Sequence, residues 1–376
     1  MISGVHLTLL VGPVVAVPAP KIVMDALQSV EVTSSDGGAG ASGFQLTFAF
    51  SNKSPLNTLF LIAGTQTPML RVIIIATFNA IPHVLMDGVM THNEIQPGSG
   101  DNPSTLTVTG KDLTKVMSLV DFGGLPYPAM PIDARIALII AKYAAFGMIP
   151  LVIPTFATDV PLPVDRIPAH EGTDLEYIEQ LASDVGYVFY VEPGPAPGTN
   201  LAYFGPQIKV GVPQRALNID MDAHTNVESL SFRLESAETT LPVLMIYNQQ
   251  TRLSIPIPIP NINPLQPPLG LVPAPITNVE VLRDTARMTV ARALMRGLAV
   301  GGRSQDFVKG SGSLDVLRYG RVLKARQLVG VRGAGEAFDG LHYVESVTTT
   351  LKRGEFKQNF SLSRNGLVSI TPVVPA

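Results

Sequence analysis

The chain has 376 residues, with 27 Lys and Arg against 30 Asp and Glu, 46% hydrophobic and 15% charged residues, and neither Cys nor Trp. So apolar and weakly charged a chain buries a core, which excludes a disordered tail or a nucleic-acid coat, and the missing Cys excludes a disulfide framework and thiolate metal or nucleophile chemistry. The 33 Gly and 32 Pro point to many short strands separated by turns, and the length to two or three domains.

Residues 1–20 are apolar, but they contain no Lys or Arg, and His6, Pro13 and Pro18 interrupt them, so a signal peptide is not expected. Strands are predicted over Val5–Val17, Gln28–Thr33, Phe44–Phe50, Arg71–Phe78, Leu85–Thr91 and Thr105–Gly110. Ser35–Gly43 and Asn52–Pro55 are turn-forming clusters between them. Phe44-Gln-Leu-Thr-Phe-Ala-Phe alternates strictly, so one face is buried and the other polar. Residues 1–112 therefore read as a β-barrel or β-sandwich.

The period then changes. Asp112–Val120 and Asp133–Phe146 read as helices, the second opening with Asp133 as N-cap and closing at Gly147. The apolar stretch Ile136–Ile153 carries Lys142 and Pro150, so it is not expected to insert in a membrane. Thr173–Val185 has the strongest helix signals. Thr173 and Glu176 form a capping box, Leu175, Ile178, Leu181, Ala182 and Val185 make one stripe, and Gly186 is the stop. Tyr187–Glu192 and Leu201–Gly205 follow as a hairpin, which makes 113–206 an α+β insertion.

Val227–Leu234 and Pro242–Asn248, within 207–253, return to strands. Ser254–Thr277 holds eight prolines and is predicted to be an extended surface loop, since proline suits neither a central strand nor a helix. Val279–Arg296 reads as a helix that completes 254–300. In 301–376, strands are predicted over Phe307–Lys309, Leu323–Gln327, His342–Lys352 and Phe356–Ser363, the last two joined at Arg353-Gly354-Glu355.

Chemistry-bearing patterns are sparse. His6, His83, His92, His170, His224 and His342 are isolated, and none sits at a metal-binding helical spacing from another. Glu171 and Asp174 are the one carboxylate pair a hydrolase could use, but Asp174 and Glu176 also fall in the first turn of a helix, where its dipole favours negative charge. Asp220, Asp222 and His224 could share a strand face as metal ligands, although Asn218 and Thr225-Asn226 suggest a solvated turn. Gly330 to Gly335 lacks the pattern of a nucleotide loop, and Gly110-Lys111 is not followed by Ser or Thr. No catalytic residue, cofactor or metal is expected. Residues 283–376 hold 15 Lys and Arg against 7 Asp and Glu, and residues 1–282 hold 12 against 23. This uneven charge suggests complementary faces between copies or neighbours.

Three segments carry a resemblance: Thr107–Leu113, Gly172–Glu192 with Leu201–Pro206, and Tyr343–Leu367. In this order they resemble the baseplate hub proteins of contractile tails, namely the late control D proteins of phages and the hub half of VgrG spike proteins in contractile injection systems. The resemblance implies a β-rich α+β fold with two tail-tube-like β-barrel domains, the first over 1–112 and the second ending in 301–376, with the α+β insertion between them. It further implies a homotrimer that adapts a hexameric inner tube to a trimeric spike, is assembled in the bacterial cytoplasm, and has the inner tube protein and other baseplate proteins as partners. The text after Leu367 is short, so the spike is expected to be a separate protein. Neither sequence-specific nucleic-acid binding nor membrane insertion is implied. Lys352, Arg353 and Lys357, near the tip of the C-terminal hairpin, are the expected partner contacts. A tail-associated cell-wall hydrolase is the alternative.

Overall fold

The computed structural model describes residues 5–36, 42–50, 56, 60, 69–98, 104–155, 167–235, 239–248, 253–259, 267–282, 290–303 and 306–371. In chain order the strands are β1 Val5–Gly12, β2 Val17–Pro18, β3 Leu27–Ser35, β4 Gly43–Phe50, β5 Arg71–Phe78, β6 Ile81–Gln96, β7 Ser104–Asp112 and β8 Met148–Val152. They continue with β9 Val188–Pro193, β10 Asn200–Gly205, β11 Gln214–Asn218, β12 Ser229–Leu234, β13 Thr240–Asn248, β14 Leu253–Pro258, β15 Gly270–Pro273 and β16 Asn278–Val281. The last five are β17 Val308–Asp315, β18 Leu328–Arg332, β19 Gly340–Lys352, β20 Glu355–Arg364 and β21 Gly366–Ser369.

Thirteen of these strands form one sheet, ordered β12-β17-β20-β19-β3-β4-β7-β6-β5-β1-β2, with β18 pairing β19 and β11 pairing β18. β19 joins the two ends of the chain: it pairs β20 along its length and β3 between Ser346 and Lys352. The alternation of β4 has the predicted consequence, since Phe44, Leu46 and Phe48 are buried while Gln45 is exposed. They enter a core that also takes Val30, Val32, Leu106, Val108, Val347, Phe356, Phe360 and Leu362 from neighbouring strands. Burying a side chain of this size contributes about 1.5–3 kcal/mol, so the shared face is the main source of stability.

A second core takes Val89 from β6 and residues between Leu113 and Phe204. The helices Ile132–Ala141 and Asp174–Val185 pack on the three-stranded sheet β8-β10-β9. The predicted capping box is present: Thr173 Oγ1 accepts from the Glu176 N–H, and the Glu176 carboxylate accepts from the Thr173 N–H at 2.9 Å. Gly186 ends the helix at φ 73°, a conformation glycine adopts without Cβ strain. The Ile132–Ala141 helix starts differently from expectation. Pro131 occupies the N-cap, and Asp133 lies in the first turn, where its carboxylate accepts from the Thr155 N–H at 3.4 Å. The helix expected over Asp112–Val120 shrinks to Thr114–Met117, because Asp112 ends β7 and its carboxylate accepts from the Thr114 N–H.

The Pro-rich stretch is another correction. It contributes β14, an edge strand on β13, and β15, which pairs with β21 in the C-terminal stretch beyond the last long hairpin. Proline lacks one donor and an edge strand needs only one row of them, so the absence of a central strand still follows. Residues 260–266 lie outside the described residues, as do residues 37–41 and 51–55 of the two expected N-terminal turns. The helix expected from Val279 is replaced at its start by β16, where Val279 pairs Leu241 and Val281 pairs Val243. Two β-branched residues at a spacing of two suit a strand. The helix here is Val290–Arg303, and 283–289 lie outside the described residues. Leu323–Gln327 is not a strand either. The Gln358 amide bonds both the N–H and the carbonyl of Leu323, and Arg326 takes φ 65°, which delays β18 to Leu328.

Candidate functional site

The face of the main sheet opposite its core is polar along an arc of eight strands, from β12 through β17, β20, β19, β3, β4 and β7 to β6. Residues paired across neighbouring strands share a face, so the register reads this surface directly. One row runs Ser231, Ser311, Ser361, Ser346, Ser35, and the next runs Ser229, Ser313, Asn359, Thr348, Thr33. A third runs Lys357, Thr350, Glu31, Gln45, Thr109, His92, and a fourth Glu355, Lys352, Ser29, Thr47, Thr107, Glu94. Not one of these positions is apolar, although the strands that supply them are apolar on their other side.

Hydroxyl pairs stitch the rows across strands. Ser229 and Ser313 approach to 2.8 Å, Ser231 and Ser311 to 3.1 Å, Ser346 and Ser361 to 2.7 Å, and Thr33 and Thr348 to 3.0 Å. Several charges at this surface are neutralised locally. Lys309 pairs Glu345 at 2.6 Å, Arg233 pairs Glu235 at 2.6 Å, and Lys357 lies 3.0 Å from Glu228 and 3.6 Å from Glu355. The hydrogen bond to Glu228 raises the Lys357 ammonium above its ordinary range. A surface of short hydroxyls and paired charges stays hydrated and offers no apolar patch to which a passing chain could adhere.

The three residues expected to contact a partner separate into two environments. Lys357 is half-buried and faces the two glutamates. Lys352 and Arg353 are exposed at the hairpin turn, where Gly354 takes φ 87° and Arg353 Nη2 donates to the Asp25 carbonyl at 3.2 Å.

The hydrolase candidates do not form a carboxylate pair. Glu171 is exposed, whereas Asp174 is fully buried and accepts from Lys142 Nζ at 2.7 Å and the Tyr143 hydroxyl at 2.6 Å. His170 lies 3.4 Å from Asp174 and bonds Tyr127 through Nδ1 at 2.9 Å. Burial holds the His170 imidazole below its ordinary range, against the pull of Asp174. This network fastens the Asp174–Val185 helix to the end of the Ile132–Ala141 helix. Asp220, Asp222 and His224 lie in or beside a 3-10 turn rather than on a strand, and among the described residues no group of three such side chains could hold a metal. Among the described residues, no helix is long and apolar enough to cross a membrane.

Where the polar face meets the helical insertion, charges are buried that no local sequence pattern had singled out. Lys209 pairs Asp306, Arg326 stacks on Tyr190 at 4.0 Å, and the Gln207 amide donates to the Asp36 carboxylate. Burial, reinforced by Glu345, pushes the Asp36 carboxyl up to about 6.

No protein-family model matches the chain, and no curated protein matches it. Solved structures do. A tail protein from Neisseria meningitidis superposes with a TM-score of 0.63 at 12% identity, covering 96% of this chain and 97% of that one. The 43 kDa tail protein of prophage MuSo2 from Shewanella oneidensis gives 0.63 at 15% identity, covering 96% and 98%. The Francisella PdpA–VgrG complex gives 0.55 at 10% identity, covering 99% of this chain and 60% of that one. The chain therefore has the β-rich fold of phage tail and spike-complex proteins.

Proposed function

We propose that this chain is a structural hub of a contractile tail or injection particle, a homotrimeric ring between the inner tube and the spike, with the polar sheet face as the wall of its lumen. The observation that supports this reading best is the unbroken polar arc. Each protomer would contribute two tube-like barrels whose adjoining sheets run together through the pairing of β19 with β3. Eight strands spaced by about 4.8 Å span about 38 Å, so three copies would enclose a lumen about 37 Å across between backbones. A hydroxyl lining lets a partly unfolded or extended cargo pass without being held. The separate spike, inner tube protein and other baseplate proteins are the partners this role requires.

Light scattering at several concentrations, with negative-stain images of the same peak, tests the reading. The expected result is a particle of three chains, each of 40.1 kDa, seen as a ring whose hole approaches the width above. A monomer at every concentration, or an oligomer without a central hole, would overturn it.

A further inference from the structure

The path of the thirteen-stranded sheet ends at the short β2, which covers the outer edge of β1 only at Leu10 and Val11, with the Ala19 N–H adding a bond to the Leu9 carbonyl. Among the described residues no strand lies against Val5–Thr8 on that side, so a short row of backbone donors and acceptors is open there. Beside this edge is a cleft of about 160 Å³ between β1, the start of β3 and the tip of the β19–β20 hairpin. Its apolar walls are Val5, Leu7, Met24, Leu27, Val30 and Leu351, and Gln28 and Ser29 also line it. Val5, Leu27, Val30 and Leu351 are buried members of the main core, so the cleft reaches that core directly.

Its rim is basic. Lys352 and Arg353 stand at the mouth, both exposed, and among the described residues neither makes an ion pair with a carboxylate. Asp25 also lines the rim, but it is its main-chain carbonyl that accepts from Arg353. Other cations near this sheet, such as Lys309 and Lys357, have found glutamates; these two have not.

We infer that this cleft binds an extended segment of another protein, which adds as a strand to the open edge of β1. Alternate side chains of that segment, small and branched, enter the cleft over Leu7 and Leu27, and a carboxylate at its end meets Lys352 and Arg353. The three requirements come from three separate features: main-chain pairing from the open edge, apolar alternation from the walls, and negative charge from the rim. The occupant is thus a different chain with an acidic, alternating β-strand, and the inference does not depend on the ring proposed above.

A fluorescein-labelled heptapeptide, Asp-Val-Thr-Val-Thr-Val-Asp, titrated into the intact chain and followed by anisotropy, tests it. Binding is expected well below about 1 mM. N-methylation of alternate amides on one edge of the peptide should weaken binding about ten-fold, and the same change on the other edge should not, because only one edge faces β1. Replacing both Asp by Lys should also weaken binding about ten-fold, and the Lys352→Glu, Arg353→Glu double variant should reverse that preference. Both substituted side chains are exposed, and an unchanged circular dichroism melt confirms that the variant is folded. Absence of binding near 1 mM, equal effects of the two methylation patterns, or an unreversed charge preference would each overturn the inference. Sedimentation velocity on the same samples covers the remaining occupant: if the peptide dissociates an oligomer, a second copy fills the cleft and the assignment to a different chain is wrong.

Discussion

Arg71 and Asp87 form a two-pronged ion pair in the interior, with Arg71 Nε and Nη2 each 2.7 Å from a carboxylate oxygen. The pair links β5 to β6, and the same guanidinium donates to the carbonyls of Val14 and Phe146 at 2.9 and 2.8 Å. Asn200, at the start of β10, donates to Asp87 at 2.9 Å and to the Phe146 carbonyl at 3.2 Å. The main sheet and the helical insertion are thus joined through one buried carboxylate. With each guanidinium nitrogen directed at an oxygen, removing either charged member leaves an uncompensated charge.

Asp87→Asn should therefore destabilise the chain by about 3–5 kcal/mol, and Arg71→Lys, which keeps the charge but loses the fork, by less. Denaturant unfolding followed by circular dichroism measures both. Equal and small losses, below about 1 kcal/mol, would show that the pair is dispensable.

Asp36 gives a pH-dependent prediction. Its carboxyl titrates near 6 in the folded chain, raised by burial and by Glu345 from its ordinary value of 3.8. The folded state then holds the proton more tightly, so stability from this group is present below about 3.8 and is lost as pH rises through 6. Asp36→Asn should leave stability little changed at pH 4 and raise it by about 1–2 kcal/mol at pH 7 relative to the unsubstituted chain. Melts at the two pH values decide this, and a gain that does not grow with pH would be a failure.

His342 works in the opposite direction. It is fully buried, and burial, with Arg364 nearby, lowers its imidazole from 6.5 to about 3. The unfolded chain takes up a proton on this group before the folded one does, so stability is complete above 6.5 and declines as the solution is acidified towards 3. The decline should amount to about 2 kcal/mol by pH 5, and His342→Gln should flatten the slope whatever its effect at neutral pH. An unaltered slope would assign the acid sensitivity to other groups.

The lumen assignment can be read with thiols, because the chain has no cysteine of its own. Ser313→Cys, Thr348→Cys and Thr107→Cys lie on the polar face, and Glu171→Cys lies on the exposed start of the insertion. In the assembled particle all four should react with a small maleimide, while a bulky polyethylene-glycol maleimide reaches Glu171→Cys far faster than the other three. Equal rates would place the polar face on the outside.

The helix at Thr173–Val185 and the strands at Phe44–Phe50 and Arg71–Phe78 were legible because their signals are local: a cap, a stop and a period lie within a few residues of one another. The strand over Thr105–Gly110, which carries Thr105, Thr107 and Thr109 at alternate positions, was legible in the same way. That they share a surface with Ser311 and Ser361 was not, since it depends on the register of eight strands and on the β19–β3 pairing between residues more than three hundred positions apart. Arg71, Asp87 and Asn200 carry no motif, and no spacing marks them as partners.

The Pro-rich stretch shows the same limit from the other side. Its prolines excluded a helix and a central strand, but only the position of β13 and β21 decided that it supplies edge strands. The sequence by itself determined a β-rich chain with few helices, its best-capped helix, and the resemblance to tail hubs. The tertiary structure decided which polar residues form one surface, which charges are buried together, and where a strand edge is left open. Propensities and caps act over one or two turns of chain, whereas register, ion pairing and open edges arise only when distant segments come within hydrogen-bonding distance.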